Sequence, residues 1–123
     1  MRIRCSSVSL PPDLVSPRLA RLRDRWPVTL GADYEVFSLS HQDGLWYVTF
    51  EHHDREMPVS APLALFDVVD PAVARFWNVR MKGGELSLQP SEFDDDFFFD
   101  DVQERRGDAF ERYRAMKMRL GEG

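Results

Sequence analysis

Ten consecutive residues, Glu92 to Asp101, hold six acids, four phenylalanines and nothing else. Carboxylates are kept in water by the cost of stripping their hydration, while phenyl rings gain by leaving it. The backbone must therefore turn neighbours to opposite sides: rings toward the interior or a partner, acids toward solvent. Two readings meet that constraint. In one, the acids open a helix, where each interacts with the N-terminal macrodipole by about 0.3–1 kcal/mol. Phe98, Phe99 and Val102 then form its core-facing stripe. In the other, Glu92, Asp94, Asp95, Asp96, Asp100 and Asp101 rim an aromatic anchor such as Phe97 on a docking surface for a basic protein. Capping uses one or two acids, so the surplus calls for a further explanation. The spacing lacks the alternating aspartates and the glycine of a calcium loop.

The rest of the composition is ordinary. A chain of 123 residues suits one domain spanning 1–123 and buries roughly two thirds of its unfolded surface on folding. Apolar residues make up 43% and charged residues 30%, a globular balance. Without the six acids of the run, the formal charge of −5 would be +1, so the acidity is local. A net negative chain without a basic aromatic stripe is a poor ligand for nucleic acid and, on the same ground, a poor one for anionic membranes. The single cysteine, Cys5, forms no internal disulfide, and no apolar stretch has the length of a signal or a span. A cytoplasmic protein is expected.

The order of elements follows from period and punctuation. A short edge strand fits within Ile3 to Leu10. Ser16-Pro17 opens a basic helix through Arg25, with Leu19, Leu22 and Trp26 on one side and Pro27 as its stop. Tyr34 to Leu39 and Leu45 to Phe50 are rich in strand formers, and His41-Gln42-Asp43-Gly44 between them predicts a hairpin. Glu51 to Ser60 is polar and predicts a loop, and Pro58 and Pro62 flank a short extended piece. Leu63 to Val69 suits a buried strand or a helical turn, which periodicity cannot separate. A short helix fits Ala72 to Arg75. Phe76 to Met81 and Glu85 to Gln89 predict a second hairpin around Gly83-Gly84. One of Asp94 to Asp96 is expected to cap a short helix ending at Gly107. Asp108 with Glu111 forms a capping-box pattern before a helix that carries Ala109, Tyr113, Met116 and Leu120 on one face. Segregated strands and helices imply an α+β fold. The expected form is a small, strongly curved antiparallel sheet or open β-barrel of four to five strands, with one N-terminal and two C-terminal helices.

Several of these stretches carry a resemblance. Pro27-Val28-Thr29-Leu30-Gly31-Ala32-Asp33-Tyr34-Glu35-Val36 is similar to a P-L-T-x-G-x-x-Y-x-V opening that precedes a hairpin with a Trp-Tyr strand, here Trp46-Tyr47. Pro62 to Asp70 followed by Phe76-Trp77 resembles a P-x-x-L-F-x-V-x-D…W stretch. Over roughly residues 27 to 117 the layout resembles a family of small, poorly characterised bacterial proteins. Many of its members look like immunity proteins that neutralise polymorphic toxins. The resemblance implies a stoichiometric, non-enzymatic binder whose partner is a cognate toxin domain. It brings no catalytic residues and no cofactor.

Other chemistries have weaker footing in the residues. His52-His53-Asp54, with His41 nearby, is the only metal-like cluster. Adjacent histidines on a strand would face opposite ways, so a polar loop is expected and no metal site. Cys5 has no neighbouring base, and no Gly-x-Ser-x-Gly elbow or phosphate-binding glycine loop occurs. Asp67 and Asp70 are better suited to closing a strand and starting a turn than to acid–base work. Trp46, just past a hairpin turn, is a second candidate anchor if its face is open. The leading expectation is a toxin-neutralising binder acting through the acidic segment. The alternatives are a structural or regulatory interaction module and a small carboxylate-dependent enzyme.

Overall fold

The aromatic stretch from Tyr34 to Leu39, expected as one strand, is shared between two sheets. In a computed structural model, residues 1–11, 14, 26–42 and 44–122 are described. The expected basic helix at Ser16 to Arg25 lies outside them. Strand β1 (Arg2–Cys5) pairs antiparallel with β2 (Asp33–Glu35) on one side and with β6 (Phe66–Asp70) on the other. It is therefore the central strand of a three-stranded sheet and not an edge.

The chain then crosses over. The Val36 N–H donates to the Met1 carbonyl at 2.9 Å and the Phe37 N–H to the Thr49 carbonyl at 2.7 Å, so consecutive residues bond to different sheets. Strands β3 (Ser38–Gln42), β4 (Leu45–Glu51), β5 (Pro58–Pro62), β7 (Asn78–Lys82) and β8 (Glu85–Gln89) form the second sheet, in the order β5-β4-β3-β8-β7. All its pairings are antiparallel. Both expected hairpins are present. In the β7–β8 turn Gly83 and Gly84 both have positive φ, 57° and 82°, the conformation that a tight two-residue hairpin requires and that side chains resist.

Among the described residues, eight strands in two antiparallel sheets replace the expected single curved sheet or open barrel of four to five strands. β2 is separate because the single strand expected over Tyr34 to Leu39 is divided between the sheets. The extended piece expected between Pro58 and Pro62 is β5. The apolar run from Leu63, open to strand or helical turn, is both: a 3₁₀ turn at Leu63–Leu65 followed by β6. No helix forms over Ala72 to Arg75. The C-terminal part follows the pattern more closely. Helix α1 (Phe98–Glu104) ends at Arg105 in the left-handed region, and α2 (Ala109–Glu122) starts one residue after Asp108. No helix among the described residues is long and apolar enough to cross a membrane.

Strand alternation supplies two cores. Ile3, Cys5, Tyr34, Val48, Phe50, Ala61 and Phe66 are buried between the sheets. Phe37, Phe93, Phe98, Val102, Tyr113, Met116 and Leu120 are buried among the helices, with Ala109 and Tyr113 completing the expected face of α2. Trp77 packs against both clusters. The second core lies where β3 begins and β4 ends, which places the acidic segment over the opposite sheet face from the first core.

Candidate functional site

The ten-residue run is sorted by geometry, and not all of its acids reach solvent. Ser91–Asp94 forms a 3₁₀ turn that tucks Phe93 and Glu92 inward. Glu92 is 8% exposed, and both its carboxylate oxygens accept from Arg119 Nη2 on α2, at 2.9 and 2.7 Å. Burial pushes this carboxyl's pKa up. The Arg119 hydrogen bonds and charge, with a backbone N–H and Ser91, outweigh burial and leave it below its ordinary 4.5. Asp94 Oδ1 accepts from Gln89 Nε2 at 2.7 Å, and its carbonyl accepts from Arg80 at 2.9 Å. Asp96 meets Lys82 Nζ at 3.1 Å, which lowers its pKa through a hydrogen bond and charge. Three of the six acids are thus engaged by cations of the fold itself, from β7 and α2.

Of the other three, Asp95 and Asp100 are exposed and Asp101 is half-buried. Asp95 Oδ1 accepts from the Phe97 N–H at 3.0 Å in an Asx turn, leaving Oδ2 without a partner among the described residues. No Asp94–Asp96 side chain caps α1, whose N-cap position is held by Phe97. Asp100 and Asp101 lie in the first turn of α1, and their carboxylates have no cation among the described residues. The rings divide in the same way. Phe93 and Phe98 are buried, Phe99 is 37% exposed and stands edge-on to Phe93 at 5.0 Å, and Phe97 is 68% exposed.

Beneath this segment lies a groove of about 250 Å³ over the five-stranded sheet. Alternate residues of neighbouring strands form its floor: Ser38, Ser40 and Gln42 on β3, Thr49 on β4, Ser60 on β5, and Ser87 and Gln89 on β8. Phe93, Phe99, Asp95 and Asp96 form its wall. The sequence held the signal as period-2 polar residues, Ser38-x-Ser40-x-Gln42 and Ser87-x-Gln89. Such alternation normally marks a solvated sheet face, so nothing in it announced a covered groove.

A larger cleft of about 580 Å³ is lined by Asp33, Tyr34, Glu35, Glu51, His52, His53 and Lys117, among others. Its charges are committed. Glu51 Oε1 accepts from the Tyr113 hydroxyl at 3.0 Å and from Lys117 Nζ at 2.8 Å. Glu56 accepts from both Arg114 nitrogens, at 3.0 and 2.8 Å, and from Lys117 at 2.7 Å. The Arg114 and Lys117 hydrogen bonds bring the Glu56 pKa down to about 2. Burial lowers the Lys117 pKa, but its bonds to Glu51 and Glu56 outweigh that and raise it. Burial and the Glu51 charge push the Tyr113 phenol far up. His52 and His53 lie in a bend, not on a strand, so the opposite-faces argument does not apply. Their rings stack at 4.5 Å, and donor atoms of His52, His53 and Asp54 fall within 4.8 Å of one another. The His52 Nδ1 already accepts from the Asp54 N–H, and His53 Nε2 meets the Asp54 carboxylate at 3.0 Å. Elsewhere Asp70 starts a turn by accepting from the Ala72 N–H, and the Cys5 thiol is buried against the Ser7 carbonyl.

Trp46 is 38% exposed, but it lies on the opposite sheet face from the acidic segment. Cross-strand register puts it in a row with His41, Leu86 and Met81, and the His41 ring is 5.0 Å away. The expected partner-binding residues therefore fall in two separate places. Compared with family models, curated proteins and solved structures, the chain matches none.

Proposed function

We propose that this chain is a non-enzymatic protein-binding domain whose partner presents a basic surface. The observation that carries the reading is Phe97, a large ring standing in water beside three uncompensated acids, Asp95, Asp100 and Asp101. Exposing a phenylalanine costs free energy, and a protruding ring with a charged rim has the anatomy of an interface hot spot. Following the resemblance, the partner is a cognate bacterial toxin domain and the protein is its immunity factor, covering the toxin's active site by steric and electrostatic occlusion. A nuclease groove built to hold phosphates would suit these acids. Trp46 sits too far round the sheet to share that contact and is left out of it. Catalysis by the cleft has less support. Its Lys117 is held protonated by Glu51 and Glu56, and its Asp33 and Glu51 are each engaged by a cation of the fold.

The test is co-expression with the product of the gene immediately upstream, whatever it encodes, followed by association kinetics on the purified pair. Asn in place of Asp95, Asp100 and Asp101 together should slow association about tenfold at low salt and far less at high salt, with stability lowered by no more than the two first-turn carboxylates contribute, about 0.3–1 kcal/mol each. Phe97→Ala should raise the dissociation rate. Unchanged kinetics in both variants would remove this surface from the account.

A further inference from the structure

Resting on the protein-binding reading, we propose that the groove under the acidic segment receives one arginine side chain of the partner. Its floor and wall carry polar atoms without partners. Ser38 is 4% exposed, lines the groove, and its hydroxyl makes no hydrogen bond among the described residues. The Ser87 hydroxyl is likewise unengaged. Gln89, also in the lining, donates one amide N–H to Asp94, and its carbonyl oxygen has no donor among the described residues. At the wall, Asp95 Oδ2 has no partner, while Asp96 already holds Lys82. The unmet atoms are a carboxylate oxygen, an amide oxygen and two hydroxyls that rotate to accept. A guanidinium supplies five N–H donors and no acceptor, so it complements that set. A phosphate or carboxylate would meet Asp95 and Asp96 with like charge.

Size and shape agree. Cofactor and drug-sized pockets run from about 300 to 1,000 Å³, and this groove, at about 250 Å³, fits a single side chain instead. Phe99 offers a partly exposed ring against which a planar guanidinium stacks. A neutral sugar leaves the charge of Asp95 without a counter-ion, and Phe99, edge-on to Phe93, presents no broad ring platform for it. Phe97 stands two residues along the same segment, so an arginine in the groove and a pocket over Phe97 would be met by one partner surface.

The probe is agmatine, a guanidinium on a short alkyl amine, titrated into the isotope-labelled chain and followed by amide chemical shifts. Methyl glucoside serves as the neutral hydroxylated control. Saturable shifts at Ser38, Ser40, Ser87, Gln89 and Asp95 are expected, with none from the glucoside. Ser87→Leu should fill the groove and weaken agmatine at least tenfold, and Asp95→Asn should weaken it several-fold. Ser40→Val, which keeps a residue suited to a central strand, replaces Ser87→Leu if that variant misfolds. Non-saturating shifts confined to Asp100 and Asp101, a response to the glucoside, or agmatine binding indifferent to both groove variants would overturn the proposal. The two readings fail separately. Partner binding that survives Ser87→Leu but falls with the aspartate variants would sink the groove and keep the docking surface. Agmatine binding in a chain that ignores its neighbour's product would do the reverse.

Discussion

At the scale of single residues, the acidic run performs two jobs that its composition does not separate. Glu92, Asp94 and Asp96 hold the segment to α2 and β7, whereas Asp95, Asp100 and Asp101 meet no cation among the described residues. The difference is measurable. Arg119→Met leaves a nearly buried carboxylate without its cation and should cost about 1–3 kcal/mol. Glu92→Gln keeps the shape and discards the charge, so it should cost less. Urea denaturation reads both as a lowered midpoint with an unchanged slope. Equal losses would mean that the charge at Glu92 is irrelevant and only its packing matters. Asp95 explains why a residue can be structural and available at once. One carboxylate oxygen closes a turn onto the Phe97 backbone, and the other points away from it.

At the scale of elements, α2 is fastened twice. Its apolar face, from Ala109 to Leu120, packs into the second core, and Tyr113, Arg114 and Lys117 reach across to Glu51 and Glu56 on the β4–β5 connection. The apolar face was legible, because helical spacing in the sequence is the spacing in space. The ion network was not, since its members are about 60 residues apart in the chain. It has a pH signature. The folded-state pKa of Glu56, about 2, lies below its ordinary 4.5. Its contribution is therefore fully present above about pH 4.5 and is lost as pH falls through about 2. The stability gap between wild type and Glu56→Gln, measured by urea midpoints, should be open near about pH 6 and closed at the acid end. A gap that stays constant across that range would show that the pair contributes packing and not charge.

For the whole molecule, the three-stranded sheet, the five-stranded sheet and the helices share parts. The chain passes from one sheet to the other between Val36 and Phe37, and Trp77 touches both cores. Thermal unfolding should accordingly be one transition, with far-UV and near-UV circular dichroism coinciding. Two resolved transitions would show that the cores melt independently. Local pattern by itself determined the α+β class, both hairpins, the second helix and the fact that the acidic run must sort its side chains. These depend on residues within a few positions of one another, where backbone period and turn chemistry act directly. Tertiary structure decided the rest. The number of sheets turned on where a stretch of strand formers would switch partners, which strand propensity does not encode. Which acids stay free turned on distant cations, Arg80, Lys82 and Arg119, arriving beside three of the six. Whether alternating serines make a wet surface or a covered groove was settled by what folds over them, because a side chain's exposure depends on neighbours that its own sequence neighbourhood does not name.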